Sequence, residues 1–256
     1  MNKIPVILLF FGWFLGSCSE PKTKINESVQ DHPIDSAMVE STQAKVTFFQ
    51  YEDSSSHPDA ILELFTPLGN QSFRPGKVPF EFNIKNFDLN EGGSDHPQLF
   101  LILNGGDPVG FFSPIFQREL AQGTYRAVAF LVDEEGLALK NFGNYVDRDF
   151  LVGDSRPFPY SAEPYLAINL PRNQQIVTFG EDVILDFLVL GGDMDLDDLK
   201  VKVELNSYSY EVEKMLPIRI SNLPKGDYQL TIRLLRKNNQ ELEGPFSSVS
   251  KAFYVR

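Results

Sequence analysis

The densest group of side chains able to do chemistry is an acidic run, Asp193-Met-Asp195-Leu-Asp197-Asp198. Alternate aspartates in a loop can gather the oxygen ligands that Ca2+ prefers, so Asp193, Asp195 and Asp197 form a candidate calcium site. The run lacks a glycine at the sixth loop position and a glutamate at the twelfth, and its plain reading is a solvated turn. His32, His57 and His96 each precede a proline, and neither C-x-x-C nor H-x-x-x-H occurs, so no zinc set is expected. Phe111 and Phe112 follow the turn Asn104-Gly-Gly-Asp-Pro108, and Tyr208 and Tyr210 lie in the corresponding region of a later stretch. Exposed, these aromatics would mark a binding surface; buried, they are the inner faces of short strands. No G-x-S-x-G or phosphate-binding glycine loop is present, and no enzyme activity is expected.

The elements that would carry these residues come as a repeat. Leu120-Ala-Gln-Gly123-Thr-Tyr125 returns as Leu223-Pro-Lys-Gly226-Asp-Tyr228, 103 positions on. At that offset Asn70-Gln71 falls on Asn173-Gln174. Val78, Phe80, Phe82 and Ile84 fall on Glu181, Val183, Leu185 and Phe187, and Val146, Arg148, Phe150 and Val152 fall on Val249, Lys251, Phe253 and Val255. A period this long exceeds solenoid repeats and suits whole domains. Apolar and polar residues alternate through Phe80–Ile84 and Tyr228–Leu234, the period of half-buried strands, and turn residues separate the runs. Six or seven strands per copy predict two tandem antiparallel β-sandwiches. One face of each strand would meet the opposite sheet and the other would meet water.

Within each copy, glycine permits a bend and the tyrosine two residues later can return its hydroxyl to the backbone of that bend. On this Leu-x-x-Gly-x-Tyr segment, residues 60–256 resemble bacterial immunoglobulin-like and fibronectin-III-like domains. The resemblance implies fold and is nearly silent on function. The divisions expected are domain 1 at 60–152, a proline-bearing semi-rigid linker at 153–163 and domain 2 at 164–256.

The N-terminus gives an address. Met1-Asn-Lys3 precedes an apolar run, Ile4–Gly16, too short to span a bilayer and suited to a signal peptide at 1–17. Leu15-Gly-Ser-Cys18 resembles the lipobox of bacterial lipoproteins. That implies acylation of Cys18, the only cysteine in the chain, and a durable anchor of several acyl chains. Ser19 after the cysteine, by resemblance to the sorting rule of that family, points to the outer membrane; which face the body occupies is left open. Residues 18–59 read as a polar tether, with 46–51 (Val-Thr-Phe-Phe-Gln-Tyr) as an extra edge strand on the first domain or a sticky segment of the tether.

The net charge is −12, and −13 once the leader with Lys3 is removed, which disfavours nucleic acid and anionic lipid surfaces. The expectation is a lipid-anchored envelope module that binds an envelope protein through loop ends or by strand addition. A glycan- or calcium-binding lipoprotein is the alternative. Trp13, the only tryptophan, lies in the leader, which weighs against sugar platforms. No cofactor other than calcium is implied.

Overall fold

Phe80 and Phe82 point inward and Glu81 outward, and Leu230, Ile232 and Leu234 do likewise against Gln229 and Arg233, as their alternation predicts. The computed structural model describes residues 45–52, 57–89 and 96–256. Cys18, the leader at 1–17, the tether up to residue 44 and the loop residues Asn90, Glu91 and Asp95 lie outside these. Strands account for all the regular structure, and no helix occurs among the described residues.

In chain order the strands are β1 (Thr47–Gln50), β2 (Ile61–Thr66), β3 (Ser72–Phe73), β4 (Gly76–Lys85), β5 (Leu99–Leu103), β6 (Val109–Phe111), β7 (Ile115–Leu120), β8 (Gly123–Leu131) and β9 (Tyr145–Val152). There follow β10 (Tyr165–Leu170), β11 (Gln175–Val177), β12 (Val183–Leu190), β13 (Leu199–Leu205), β14 (Tyr208–Val212), β15 (Ile218–Ser221), β16 (Gly226–Arg236) and β17 (Ser248–Val255). The first sandwich faces a sheet of order β2-β4-β7 against one of order β3-β9-β8-β5-β6. The second faces β10-β12-β15 against β11-β17-β16-β13-β14, repeating the same order. Apart from the short parallel pairs β3–β9 and β11–β17, pairing is antiparallel. This is the strand order of an immunoglobulin-like sandwich, built twice.

The repeat is real but its offset drifts. Gly123 pairs with Val152 and Gly226 with Val255, so the final strands keep the 103-residue offset. In the turn after β2, Leu68 N donates to Gln71 Oε1 (2.7 Å) just as Arg172 N donates to Gln175 Oε1 (3.0 Å). Gln71 therefore corresponds to Gln175, not Gln174. By their pairing across each sheet, Val78, Phe80 and Phe82 correspond to Val183, Leu185 and Phe187 rather than to Glu181, Val183 and Leu185. A slip of two residues preserves which side chains face inward, so the alternation survives it.

Both tyrosine corners form. Tyr125 Oη donates to Ala121 O (2.9 Å) and Tyr228 Oη to Pro224 O (2.7 Å). The glycines serve a different end from the expected bend, since neither Gly123 nor Gly226 has a positive φ. A Cβ on Gly123 would stand 3.3 Å from the Tyr125 ring, so the residue leaves room for the returning aromatic.

Three expectations are overturned. The strand at 46–51 is an edge strand, but of the second sandwich: β1 pairs antiparallel with β15, Thr47 opposite Ser221 and Gln50 opposite Ile218. And the outer sheet faces do not all meet water. Phe100 and Ile102 of β5 and Val128 and Phe130 of β8 pack against Tyr165 and Ala167 of β10 and Leu188 and Leu190 of β12. The strands at this seam are apolar on both faces, which is why Leu99–Leu103, Ala127–Val132 and Val183–Leu190 read as runs rather than alternations. The linker is not a spacer either. Gln122 Nε2 donates to Asp154 O (2.9 Å), Glu163 Oε2 accepts from Glu243 N (2.6 Å) and Gly244 N (3.0 Å), and Phe158 lies edge-on to Phe246. From Gln43 to Arg256 the chain forms one compact unit.

Phe130, fully buried at the seam, belongs to neither sandwich core alone. Phe130→Ala is expected to cost about 3–5 kcal/mol in chemical denaturation, and both sandwiches should lose stability together in one calorimetric transition.

Candidate functional site

The aromatics singled out in the sequence do not form one platform. Phe111 lies flat on Phe116, ring centres 3.5 Å apart, and closes the open side of the first core. Tyr208 and Tyr210 do the same for the second core, where Tyr210 stacks on Phe48 of β1 at 5.3 Å. Only Phe112 stands out, at 57% exposure. Three of the four therefore fill the gap between paired sheets, and the two pairs belong to different sandwiches.

The acidic run spends its carboxylates on its own turn. Asp193 Oδ1 accepts from Asp195 N and Leu196 N (2.9 Å each), and Asp197 Oδ2 accepts from Asp193 N (2.8 Å). Lys237 Nζ lies 3.8 Å from Asp195. Among the described residues no three His, Cys, Asp or Glu side chains converge as metal ligands would. The turn does border a cleft of about 830 Å3 between the sandwiches. Asp147, Asp193, Asp195 and Glu213 line it with Met215, and Phe142, 96% exposed, stands at its rim. A smaller cleft of about 580 Å3 is lined by Gln98, Asn169 and Arg172. Neither was legible in the sequence, because each is formed by segments from both copies.

Polar groups lock the two sandwiches beneath these clefts. Asp186 is fully buried and accepts from Ala138 N (2.8 Å), Asn169 Nδ2 (2.8 Å) and the Lys140 ammonium; Lys140 Nζ also donates to Phe187 O (2.9 Å). A carboxylate so deep is tolerable only because it is paired and hydrogen-bonded. Arg126 grips Asp149 with two 2.7 Å bonds and lies over the Tyr165 ring at 4.6 Å, with Phe158 and Phe246 within 6 Å. The Asp149 bonds hold its guanidinium above the usual arginine value despite burial. Burial, reinforced by Asp147, pushes the Tyr165 hydroxyl far above the tyrosine range, so it stays a donor, to Asp147 Oδ2 at 2.7 Å.

The turn between β5 and β6 makes a third lock. Asp107 Oδ1 accepts from Lys251 Nζ (2.6 Å) and from Asn173 N (2.9 Å), and Lys251 Nζ also donates to Gly106 O (3.0 Å). Lys251 is only 4% exposed, so its charge relies on this carboxylate. Burial alone would raise the Asp107 carboxyl; Lys251 and the Asn173 amide outweigh it and hold it below its ordinary value.

Because the folded state holds Asp107 below its unfolded pKa of about 4, its stabilisation is present above that pH and drains away as pH falls through the lower folded value. Asp107→Asn should lower the melting temperature at pH 7, and the difference from wild type should close below about pH 4. At the acidic turn, Asp193→Ala is expected to cost about 1 kcal/mol because two backbone N–H donors lose their acceptor, while millimolar calcium leaves the wild-type melting temperature unchanged.

No family model matches the chain, and no curated protein is similar to it. Among solved structures it is similar to the fibronectin(III)-like modules of Clostridium thermocellum CbhA, at 12% identity over 77% of this chain and 94% of that one, with a TM-score of 0.30. It is also similar to a putative membrane anchored protein from Corynebacterium diphtheriae, at 12% identity over 77% and 58% of the two chains and a TM-score of 0.25. The extracellular domain of a putative hybrid two component system from B. thetaiotaomicron matches at 10% identity over 71% and 30%, with a TM-score of 0.30. At these values the fold assignment rests on the strand order and the two tyrosine corners alone.

Proposed function

We propose that the chain is a lipid-anchored cell-envelope module that binds another envelope protein and catalyses no reaction. Acylation at Cys18 would hold it to the outer membrane, and the two fused sandwiches would present a fixed surface to the partner. The observation that carries the binding reading is Phe142. It stands almost wholly in solvent at the mouth of the 830 Å3 cleft, beside the acidic Asp147, Asp195 and Glu213. An aromatic left in water at the rim of a charged cleft has the composition of an interface anchor ringed by polar groups. The fit to partners is helped by rigidity: a surface already ordered by the seam loses little further freedom on association.

Cys18→Ala should abolish incorporation of a labelled fatty acid and release the protein from the membrane fraction. A pull-down from solubilised envelope should return a specific partner with the wild-type chain and lose it by tenfold or more, about 1.4 kcal/mol, with Phe142→Asp. Retention of label by the Cys18 variant, or identical pull-downs from both chains, would refute the respective half of the reading.

A further inference from the structure

The carboxylate cradle that locks the second sandwich to the first is present a second time, in the first sandwich. In the second sandwich the cradle consists of Lys251 on β17 and the backbone N–H of Asn173 in the turn after β10. Lys251 corresponds to Arg148 on β9, since each lies two residues before the phenylalanine that pairs with its corner tyrosine. Asn173 corresponds to Gly69, because the matching Leu68–Gln71 and Arg172–Gln175 side-chain bonds fix the alignment of the two turns.

The two members of the copied cradle stand together. The position of a Cβ on Gly69 is 3.9 Å from Arg148 Cδ and from one of its terminal nitrogens. Gly69 is exposed, and no hydrogen bond from its amide to a described residue is present. Arg148 forms no ion pair with any described residue, and its Nε is buried without an acceptor. Other cations that the fold wholly or partly buries have found a carboxylate: Lys140 has Asp186, Lys200 has Glu211, Lys251 has Asp107 and Arg126 has Asp149. A buried donor of this strength left unmatched is costly, and a guanidinium beside a free backbone N–H is the geometry that a carboxylate fills.

We infer that Gly69 and Arg148 form a docking site for an aspartate or glutamate presented on a loop of a partner protein, in the way that the β5–β6 turn presents Asp107 to Lys251. A second copy of this chain does not supply that loop from its equivalent turn or from Asp107. The equivalent turn of the second sandwich, Leu205-Asn-Ser-Tyr208, carries no carboxylate, and Asp107 is already committed. The occupant is therefore an acidic loop of a different protein, set ahead of the first sandwich as the first is set ahead of the second. This rests on the reading of the chain as a protein-binding module and names one of its contacts.

The test uses the full-length 15N-labelled chain in detergent, titrated with a cyclic peptide of the sequence of residues 103–110, which carries the Asp107 loop. The expected result is saturable shifts of the Gly69 amide and the Arg148 Nε–H, in the millimolar range for a contact without the help of covalent linkage. The same peptide with Asn for Asp should bind about tenfold more weakly or not at all, and Arg148→Gln should abolish the shifts. Equal shifts with the Asp and Asn peptides, or none up to about 10 mM, would overturn the site; this comparison needs only the wild-type chain, so a poorly folding variant does not blunt it. Shifts that arise only after deletion of residues 19–44 would place the chain's own tether in the cradle and also overturn the partner assignment. A pull-down that depends on Phe142 but not on Arg148 would remove this docking site while leaving the module reading intact.

Discussion

Phe100, Ile102, Val128 and Phe130 stand on the side of their sheet that an isolated sandwich gives to water, and Tyr165, Ala167, Leu188 and Leu190 seal them there. Removing water from that second face is what makes the other features tenable. Asp186 can be fully buried because the seam brings Lys140 and Asn169 to it. Arg126 meets its aromatic neighbours only because β10 and the linker are pressed against β8. The clefts on either side are the margins of the same contact. With the apolar area separated, each of these charges would face either solvent or an unpaired interior, so polar lock and apolar seam hold or fail together.

Much of the architecture was legible from residues alone, and the reason is local. Period-two alternation and the return of a corner tyrosine hydroxyl act within a few residues of themselves, so Phe80–Ile84 and Tyr228–Leu234 announced their faces and Tyr125 and Tyr228 their hydroxyl partners. What escaped was set by contacts between distant segments. Ala127-Val-Ala-Phe-Leu-Val132 carries the sign of a strand covered on both sides, in that it does not alternate, but the surface that covers its second face belongs to the other copy. Val46–Tyr51 was recognisable as a strand; nothing in its own residues could say that its partner lay some 170 positions away at Ile218–Ser221. Asn104 and Asn206 stand at equivalent strand ends, each side chain donating to a carbonyl and accepting from an amide of the one neighbouring strand, β8 or β16, yet in sequence they are two asparagines among many.

The candidate site was less legible, for a physical reason as well. A carboxylate or an aromatic has the same identity whether it serves the fold or a ligand. Asp193 and Asp197 turned out to close their own turn, and Phe111, Tyr208 and Tyr210 to close the sandwich mouths, because a nearby backbone amide or ring is always available and a ligand is not. The informative positions were ones with no chemical label: Gly69, which offers a bare amide, and Phe142, which the fold declines to cover.

The placement of β1 changes what counts as a domain here. Its four residues complete a sheet whose remaining strands begin only at Tyr165, so the C-terminal body is discontinuous and the N-terminal body is an insertion within it. Gln50 bonds Lys214 across 164 residues of sequence, and Phe48 supplies a ring that Tyr210 needs. A polypeptide emerging from the ribosome must therefore hold β1 unsatisfied until β15 has been made, about 170 residues later. A fragment cut at the apparent boundary near residue 153 would carry an orphan strand at one end and leave behind a body with an uncovered edge.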